Sequence, residues 1–501
     1  MPPRGGSSGP NSYGGSRKSR PAREQRVEVV GLAEQFDLVI IGGGPGGYGA
    51  ALYAASAGLN VALVEKDVVG GTCLNRGCIP AKAFLETAAV NRHVVHAGDF
   101  GIESSAPSVN FAVAQARKQK IVDGLVKGIG GLIKSRKVTY YLGSGSLGAD
   151  RTVTVALAEG GTVQAQGRAV VLAAGSVPRT IPGFDRGGPI MTSDEVLMLD
   201  YVPARLAVIG GGAIGCEFAS TFADLGSQVT ILEGLPKILP GLDADLANAV
   251  VRSFKKKNID IRTGVSVNGH TPQATADGRG CTTVHFGDGE SLEVDAVVVS
   301  VGRRPYADEL GLVSTRVNVT ERGFVEVDEF CRTGEAGVYA IGDLINTPQL
   351  AHVAYAEAIL VVRDLLGEKP MPIRYDRVPW AIYCHPEVAW SGLGEDAAIA
   401  AGYEIVVSKH QFRANSRAQI IGEIDGLVKV VAKKNADGSA GQVLGVHMVG
   451  PWVTEQLSGG YLAVNWEATV AEVAEFIQPH PSLSELFGET MLSMTGRSLN
   501  S

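Results

Sequence analysis

The sequence predicts an α/β protein in which two similar strand–turn–helix–strand units are followed by a final α+β layer. An apolar strand runs into a glycine-rich turn and a small-residue helix after Phe36, and the same pattern recurs after Arg205. A mixed pattern of helices and strands then begins at about Asp376. Glycine is abundant, with 65 of 501 residues, as repeated tight turns require. A chain of this length is expected to hold three or four domains.

Composition excludes several classes of function. The formal net charge of −7 provides no basic field for nucleic acid. No apolar run reaches the length of a membrane span. Six cysteines in so long a chain do not form a secreted disulfide framework, and four of them, Cys216, Cys281, Cys331 and Cys384, are scattered and predicted to be buried thiols. This cysteine usage favours a reducing, cytoplasmic setting.

Residues 1–34 are of a different composition from the rest. Gly, Ser, Pro, Arg and Lys dominate, and no acidic residue precedes Glu24. This composition predicts a disordered tail. An Arg- and Ser-rich start is also typical of an organellar transit peptide, but no amphipathic helix is visible. A plain disordered extension is therefore favoured, the transit peptide stays open as an alternative, and no secretory signal is expected.

The first unit carries the pattern of a Rossmann-like dinucleotide site. A buried strand over 38–41 leads into the glycines of Gly42-x-Gly44-x-x-Gly47, followed by an Ala-rich helix and a second strand that ends at Glu65. The glycines allow a tight turn and close approach to a pyrophosphate, which the helix N-terminus attracts. Glu65 lies at the distance expected of a ribose-binding acid. Further on, 124–142 reads as a helix leading into a strand, and 152–171 as hairpin-like strands.

The second unit repeats this fingerprint and implies a second dinucleotide. Its glycines form Gly210-x-Gly212-x-x-Gly215, and its second strand ends at Glu233. No arginine cluster follows Glu233, whose charge would repel a 2′-phosphate, so NAD is predicted rather than NADP. The residues alone do not say which dinucleotide each unit holds.

Residues 71–82, GTCLNRGCIPAK, contain two cysteines with four residues between them. In a regular helix the Cα atoms of such a pair are about 8.6 Å apart, whereas a disulfide requires roughly 4.4–6.8 Å. A bond between Cys73 and Cys78 therefore requires a distorted helix, which Gly71, Gly77 and Pro80 permit. Two buried free thiols or half of a zinc site are alternatives, but no further zinc ligands lie nearby. A redox-active pair is favoured, and no metal site is expected.

Near the C-terminus, His480 precedes Glu485 by five residues. Thiol–disulfide exchange runs through thiolates and needs a base, for which histidine is well suited near neutral pH. A carboxylate on the far ring nitrogen would fix the tautomer. However, Ser482 and Glu485 also fit a helix capping box. A rival base, His385, is interpreted as a turn residue at the end of a strand.

Together these motifs resemble the flavin-dependent pyridine nucleotide–disulfide oxidoreductases, most closely the dihydrolipoamide dehydrogenase group. The resemblance runs from about Phe36 to about Gly488 and rests on GTCLNRGCIPAK, both glycine fingerprints, GVYAIGD at 337–343 and PHPSLSE at 479–485. Departures from the usual pattern are Arg76, Ala81, Ala174, Trp452, Gln478, Pro479 and Ser482. The resemblance implies oxidation of a protein-bound dithiol with electron transfer through the cysteines and FAD to NAD⁺. A related NAD(P)H-dependent disulfide or quinone reductase on the same scaffold is the alternative.

The resemblance also implies roles for individual residues. Cys73 would form the mixed disulfide, Cys78 would lie on the flavin side, His480 would be the base and Glu485 its orienting partner. Lys82 would lie over the flavin edge and pair with Glu217. FAD is assigned to the first unit and NAD to the second. The implied cofactor-binding residues are Gly42, Gly44, Gly47, Glu65, Thr72, Lys82, Gly145, Ala174, Gly175, Ser176, Asp343, Gln349, Leu350, Ala351 and His352, and Gly210, Gly212, Gly215, Glu217, Glu233, Val265 and Gly302.

The implied domain order places each function in one part of the chain. After the tail, residues 35–182 form the FAD domain with the redox-active disulfide, 183–303 the NAD domain, 304–375 a central domain that completes the FAD site, and 376–501 the dimerisation domain. A homodimer is expected, with a lipoyl-bearing protein of a 2-oxoacid dehydrogenase or glycine cleavage complex as its partner. In a two-fold dimer His480 would serve the cysteine pair of the other chain.

Overall fold

The first sheet begins close to where the predicted tail ends. The computed structural model describes residues 33–105, 107–274 and 279–499. The predicted tail therefore lies outside the described residues except for its last two positions, and Glu34 already belongs to the first strand. The elements of the first unit are β1 (Glu34–Ile41), α1 (Pro45–Ser56), β2 (Val61–Glu65), α2 (Gly71–Arg76), α3 (Cys78–Val95), α4 (Phe111–Ser135), β3 (Thr139–Leu147), β4 (Thr152–Leu157) and β5 (Thr162–Leu172).

The first unit is a parallel Rossmann-like sheet with an antiparallel extension, as predicted. β1 pairs in parallel with β2 and with β5, β2 with β3, while β4 runs antiparallel between β3 and β5. The predicted helix near Gly124 is longer than the pattern indicated. It begins at Phe111, where the Asn110 side chain accepts a hydrogen bond from the Val113 N–H and caps the helix.

The second unit repeats this arrangement and adds a small antiparallel sheet. Its parallel sheet has the order β10-β9-β8-β14-β7, and β11, β12 and β13 form a three-stranded sheet beside it. The elements from here to the C-terminal layer are β6 (Ser176–Pro178), β7 (Ile190–Thr192), α5 (Ser193–Val196), β8 (Arg205–Ile209), α6 (Ala213–Asp224), β9 (Gln228–Glu233), α7 (Ala244–Lys256), β10 (Asp260–Thr263), β11 (Val267–Gln273), β12 (Cys281–Phe286), β13 (Glu290–Val294), β14 (Ala296–Val299), β15 (Arg303–Pro305), β16 (Val338–Ala340) and α8 (Ala351–Leu365).

The chain returns to the first unit before it enters the C-terminal layer. β16 pairs in parallel with β5, and α8 packs against α1, so residues of the central segment complete the first unit. The C-terminal layer is a five-stranded antiparallel sheet of order β17-β18-β21-β20-β19. Its elements are β17 (Trp380–Ile382), β18 (Glu387–Gly392), α9 (Glu395–Ala400), β19 (Ile405–Gln411), α10 (Ser416–Ile421), β20 (Leu427–Lys434), β21 (Ala440–Gly450), α11 (Val453–Asn465), α12 (Val470–Ala474) and α13 (Glu485–Ser493).

The units do not have fully separate cores. One buried cluster combines Phe84 of α3, Phe222 of α6 and Ile382 of β17, and so joins the first unit, the second unit and the C-terminal layer. Cys216, Cys281, Cys331 and Cys384 are buried free thiols, as predicted. Within the described ranges, none of the helices combines the length and the apolar character that a bilayer span requires.

The third glycine of each fingerprint should be intolerant of any side chain. A Cβ at Gly215 would lie 2.0 Å from the Gly210 carbonyl oxygen, so Gly215→Ala should destabilise the protein by about 1–3 kcal/mol and lower its Tm. The matched control is Gly128→Ala on α4, where a Cβ meets nothing within 4 Å. That change should stabilise the protein by about 0.5–1 kcal/mol through backbone entropy. Equal Tm shifts for the two variants in calorimetry would contradict the packing argument.

Candidate active site

A large cavity lies where the first unit, the second unit and the C-terminal layer meet. Its volume is about 1530 Å³, well above the roughly 300–1,000 Å³ of ordinary small-molecule sites. Its walls are the glycine turns of both units, the segment with Cys73 and Cys78, the turn after β16 and strand β17. The cavity therefore has room for more than one extended ligand.

Contacts at the first and third glycines of the first turn leave no space for a side chain. Gly42 has a φ of +107°, and a Cβ there would lie 2.3 Å from the Ala173 carbonyl oxygen. A Cβ on Gly47 would lie 1.7 Å from the carbonyl oxygen of Gly42. Gly44 is the N-cap of α1 and lines the cavity. The unpaired N–H groups of the first helical turn and the helix dipole therefore favour a phosphate at this point.

Glu65 holds this turn in shape as well as facing the cavity. Its Oε2 accepts a hydrogen bond from the Gly43 N–H at 2.6 Å, and its Oε1 accepts one from the Asp67 N–H at 2.8 Å. Burial raises the pKa of Glu65, and the hydrogen bond from Gly43 and the positive charge of Lys66 oppose this shift. Each carboxylate oxygen retains a lone pair, so the predicted ribose contact remains available.

The second glycine turn reproduces these contacts. Gly210 has a φ of +106°, and a Cβ on Gly215 would lie 2.0 Å from the Gly210 carbonyl oxygen. Glu233 accepts hydrogen bonds from the N–H groups of Gly211 at 2.6 Å and Leu235 at 2.7 Å. Because two turns of the same geometry open into one cavity, the residues present fit two dinucleotides.

Cys73 and Cys78 lie on two consecutive helices that are joined by a single residue, and not on one regular helix. α2 ends at Arg76 and α3 begins at Cys78, with Gly77 between them in a non-helical conformation (φ −144°, ψ −112°). This break confirms the distortion that the spacing requires. Both residues are free thiols in the structure, and their side chains are joined by a hydrogen bond. The described residues contain no group of three or more His, Cys, Asp and Glu side chains that could hold a metal ion.

The two sulfurs differ in acidity. A hydrogen bond from Cys73, together with the charge of Lys82, lowers the pKa of Cys78 to about 7. The same hydrogen bond, followed by burial, raises the pKa of Cys73. Cys78 is therefore the sulfur that carries negative charge near neutral pH, and Cys73 is its hydrogen-bond donor.

Lys82 links the cysteine helix to the other two parts of the protein. Its Nζ lies 2.8 and 2.7 Å from the two carboxylate oxygens of Glu217 on α6. Glu217 Oε1 also accepts a hydrogen bond from the Tyr383 N–H at 2.9 Å, and Lys82 Nζ lies 4.6 Å from the Tyr383 ring centroid. Burial alone would lower the pKa of Lys82, but the Glu217 carboxylate outweighs it and raises the pKa.

The turn after β16 presents Asp343 to the cavity. Asp343 Oδ2 accepts a hydrogen bond from the Ser176 hydroxyl at 2.5 Å. Arg303 donates from Nε to the Ser176 hydroxyl at 2.7 Å and from Nη2 to Thr72 Oγ1 at 3.4 Å. Buried Glu357 accepts from the Gly342 N–H at 2.6 Å and so fixes the turn from behind. Arg303 Nε also lies 3.9 Å from Asp343 Oδ2. Sequence reasoning did not single out Arg303 as a site residue, because its three partners come from separate segments of the chain.

The predicted His–Glu pair forms, but away from the cavity. His480 Nδ1 lies 2.8 Å from Glu485 Oε1. Glu485 Oε2 accepts from the Ser482 N–H at 2.6 Å, and the Glu485 N–H donates to the Ser482 hydroxyl at 3.3 Å, so the capping-box contacts are present too. The His480 side chain is 71% exposed and neither residue lines the cavity. Nε2 of His480 is thus free to face a second molecule.

His385 lies in the turn between β17 and β18, as predicted, but it also has a carboxylate partner. Its Nε2 lies 2.7 Å from Glu423 Oε2. Near this pair, Asp224 accepts from Arg92 at 2.7 Å and from Lys257 at 2.8 Å. Burial lowers the pKa of His385. The pair lies outside the cavity, and because Arg92 Nε also lies 3.8 Å from Glu423 Oε1, this charged cluster joins the three parts of the chain.

Most of the predicted site residues line the cavity. Those that do so are Gly42, Gly44, Glu65, Thr72, Cys73, Cys78, Lys82, Gly145, Ala174, Gly175, Ser176, Gly210, Gly212, Glu217, Glu233, Val265, Gly302, Asp343, Gln349, Leu350 and Ala351. Gly47 and Gly215 lie behind it as packing glycines. His352 also lies outside the cavity lining, with its Nε2 at 2.8 Å from the Pro379 carbonyl oxygen.

Aromatic groups on the cavity wall were also missed by sequence reasoning. Trp380 and Trp390 stack with ring centroids 5.3 Å apart, and Lys66 Nζ lies 3.7 Å from the Tyr306 ring centroid. The tryptophans occur at paired positions of β17 and β18, which no local pattern reveals.

Comparison with known proteins identifies the family. The model of the pyridine nucleotide-disulphide oxidoreductases matches residues 36–358, and the model of their dimerisation domain matches residues 378–491. The chain belongs to the pyridine nucleotide-disulphide oxidoreductase family. Members of this family use FAD and NAD(H), and the two glycine turns of the cavity fit these two dinucleotides.

Relatives of this oxidoreductase cover nearly its whole length. The dihydrolipoyl dehydrogenase of Bacillus subtilis (strain 168) is 40% identical over 478 residues, which are 94% of this chain and 100% of the relative. The dihydrolipoyl dehydrogenase of Trypanosoma brucei brucei is 39% identical, over 93% of this chain and 98% of the relative.

Solved structures of the family have the same fold. LpdA from Mycobacterium tuberculosis is 26% identical with a TM-score of 0.85, over 92% of this chain and 100% of that one. The HOCl-induced flavoprotein disulfide reductase RclA from Escherichia coli, in its Cu(II) complex, is 26% identical with a TM-score of 0.82, over 92% and 99% of the two chains.

Lys82 should control the acidity of Cys78. Because its positive charge favours the thiolate, Lys82→Met should raise the pKa of Cys78 above its value of about 7. The measurement is the pH dependence of site-resolved alkylation of the reduced protein, followed by peptide mass spectrometry. Lys120→Met, which removes an exposed lysine of α4, is the control and should leave the midpoint unchanged. An unchanged midpoint in Lys82→Met would contradict the assignment.

Proposed function

We propose that this oxidoreductase oxidises dihydrolipoamide, a dithiol carried on a partner protein, and reduces NAD⁺. The observation that carries the proposal is the pair Cys73 and Cys78 at a helix break on the wall of a cavity with two dinucleotide turns. The dihydrolipoyl dehydrogenases that match over more than nine-tenths of the chain support the choice of dithiol. A lipoyl-bearing protein of a 2-oxoacid dehydrogenase or glycine cleavage complex is the proposed partner, and the cytoplasm is the proposed compartment.

Each of the two units would bind one dinucleotide. In the first unit Gly42, Gly44, Glu65 and Asp343 would hold FAD, which supplies a two-electron relay between the cysteines and NAD⁺. In the second unit the corresponding turn, with Glu233, would hold NAD⁺. We place the boundaries of these functions at 35–182, 183–303 and 304–375, and the dimerisation domain at 376–501.

The chemistry at the cysteines follows from their unequal acidity. In the oxidised form of the enzyme, Cys73 and Cys78 would be joined as a disulfide. A substrate thiolate attacks the Cys73 sulfur of this disulfide, and Cys78 leaves as the thiolate that its low pKa favours. The second substrate thiol then attacks the substrate sulfur of this mixed disulfide and displaces Cys73. Two electrons thereby pass from the dithiol to the cysteine pair, and Lys82 stabilises the charge that appears on Cys78.

The proton released by the dithiol needs an acceptor, and His480 is the proposed base. Glu485 would hold its Nδ1–H, which leaves Nε2 free to take the proton. Because the His480 side chain is exposed and does not line the cavity of its own chain, we assign this role to His480 of the partner subunit.

The cofactor proposal predicts a preference for NAD⁺. Purified protein should reduce NAD⁺ with dihydrolipoamide and should reduce NADP⁺ far more slowly, because the Glu233 carboxylate repels a 2′-phosphate. Glu233→Gln should lower the ratio of kcat/KM for NAD⁺ to kcat/KM for NADP⁺ by at least about tenfold, which is the scale of one charge contact. Glutamine is chosen because its amide oxygen keeps one of the two bonds to Gly211 and Leu235, whereas arginine would break both. Equal turnover of NADP⁺ by the unaltered protein would contradict the proposal.

The shared site predicts complementation between damaged subunits. Cys73→Ser and His480→Ala homodimers should each fail to oxidise dihydrolipoamide. A mixed dimer purified through two tags would contain one doubly damaged site and one intact site, and should recover about half of the wild-type activity. If His480 acted within its own chain, both sites of the mixed dimer would carry one lesion. A mixed dimer no more active than its parents would therefore refute the shared site.

A further inference from the structure

Tyr48 and Tyr355 form a pair outside the cavity. Tyr48 lies in the first turn of α1 and Tyr355 in α8, and their hydroxyl groups are hydrogen-bonded to each other. The rings meet edge to face, with centroids 5.7 Å apart and an interplanar angle of 65°. Gly49 makes room for this contact, since a Cβ there would lie 3.0 Å from Tyr355 Cδ1. Both side chains are half-buried, and neither lines the cavity.

The pair lies beside the redox cysteines. A Cβ on Gly71 would lie 2.6 Å from Gly44 Cα, so the first turn of α1 abuts the first turn of α2, which carries Cys73. Burial raises the pKa of both tyrosines, and negative charge on Cys73 or Cys78 raises it further. Both phenols therefore stay protonated when a thiolate forms next to them.

A pair of neutral phenols has one hydroxyl proton to spare. Each phenol carries one proton, and one of the two is used in the bond between them. In the described ranges the only hydrogen bond made by either hydroxyl group is this mutual one. The second hydroxyl proton is thus available to an acceptor outside these contacts, such as a substrate.

Cys73 lines the cavity that the dinucleotides would fill, whereas the tyrosine pair lies outside the cavity lining and beside the helix that carries Cys73. We propose that Tyr48 and Tyr355 act as one hydrogen-bond donor on the dithiol side of the cysteine pair, directed to the sulfur that bears negative charge during exchange. The inference rests on the proposed function, which supplies the dithiol.

The donor acts without transferring a proton. When the second substrate thiol displaces Cys73, the bond between Cys73 and the substrate sulfur breaks and its electron pair leaves with Cys73. The tyrosine pair donates a hydrogen bond to this leaving sulfur, while His480 of the partner subunit handles the proton. A donor held in place in a half-buried site needs no reorganisation when the charge appears.

The test compares the two halves of the reaction in the FAD-loaded protein. Tyr48→Phe, Tyr355→Phe and the double variant keep the rings and remove one or both hydroxyl groups. Tyr53→Phe, on the same helix and without a side-chain hydrogen bond among the described residues, is the matched control. Stopped-flow absorbance follows reduction of the protein by dihydrolipoamide, by dithiothreitol as a general dithiol, and by NADH, which bypasses the dithiol side.

The expected result is slower reduction of the protein by the two dithiols, with an unchanged rate of reduction by NADH. Each single variant should be reduced by either dithiol roughly ten- to a hundredfold more slowly, the scale of a hydrogen bond to a charged group, while reduction by NADH and the Tyr53→Phe protein stay at the wild-type rate. The double variant should be no slower than the slower single variant, because the hydroxyl groups act as a unit. The ratio of variant to wild-type rate should be independent of pH, as it is for a donor that does not titrate.

Other outcomes overturn the inference. If the tyrosine variants were reduced by NADH as slowly as by the dithiols, the tyrosines would have a structural role only. If the losses of rate in the double variant were additive, the two hydroxyl groups would act independently. A ratio that changes with pH would make the tyrosines proton acceptors. If wild-type protein reacts with dithiothreitol but not with dihydrolipoamide, the proposed substrate fails, whereas slowing of the dithiothreitol arm in the variants would still support the donor pair.

Discussion

The carboxylate of Glu217 holds three parts of the chain at one point. Glu217 lies on α6 in the second unit and forms an ion pair with Lys82 on α3 of the first unit. It also accepts a hydrogen bond from the Tyr383 N–H in the C-terminal layer. An ion pair removed from water is stabilising only where further hydrogen bonds satisfy it, and here the backbone donor does so. The position of Lys82, and through it the charge on Cys78, therefore depends on how all three parts are docked.

The two nucleotide turns show how strongly one chemical task constrains local structure. Both need a left-handed glycine, a third glycine with no space for a Cβ, and a buried carboxylate that accepts two backbone hydrogen bonds. The two turns occur in sheets whose surroundings differ, since the first is completed by β16 and α8 while the second carries an extra antiparallel sheet. The turn geometry is thus conserved within the molecule while its surroundings are not.

Much of the fold and the site could be predicted from sequence because the signals are local. The glycine fingerprints, the cysteine spacing and the strand before each turn lie within short windows, and the structure confirms their geometry. The features that escaped prediction depend on contacts between distant segments. Arg303 binds Ser176 and Thr72, Glu423 meets His385, and Trp380 stacks on Trp390 only after β17 and β18 pair. His352, predicted at the cofactor from its neighbours in sequence, contacts the Pro379 carbonyl oxygen, a partner that the local pattern does not reveal.

The double duty of Glu233 restricts how this protein can change. The carboxylate that we propose repels a 2′-phosphate is also the acceptor that fixes Gly211 and Leu235. Replacing Glu233 with a positively charged residue would attract a 2′-phosphate, but it would also remove both acceptor oxygens and destabilise the turn. A charge reversal toward NADP therefore calls for a second substitution that restores the turn. At Glu65 a charge reversal would likewise remove two acceptors of backbone N–H groups.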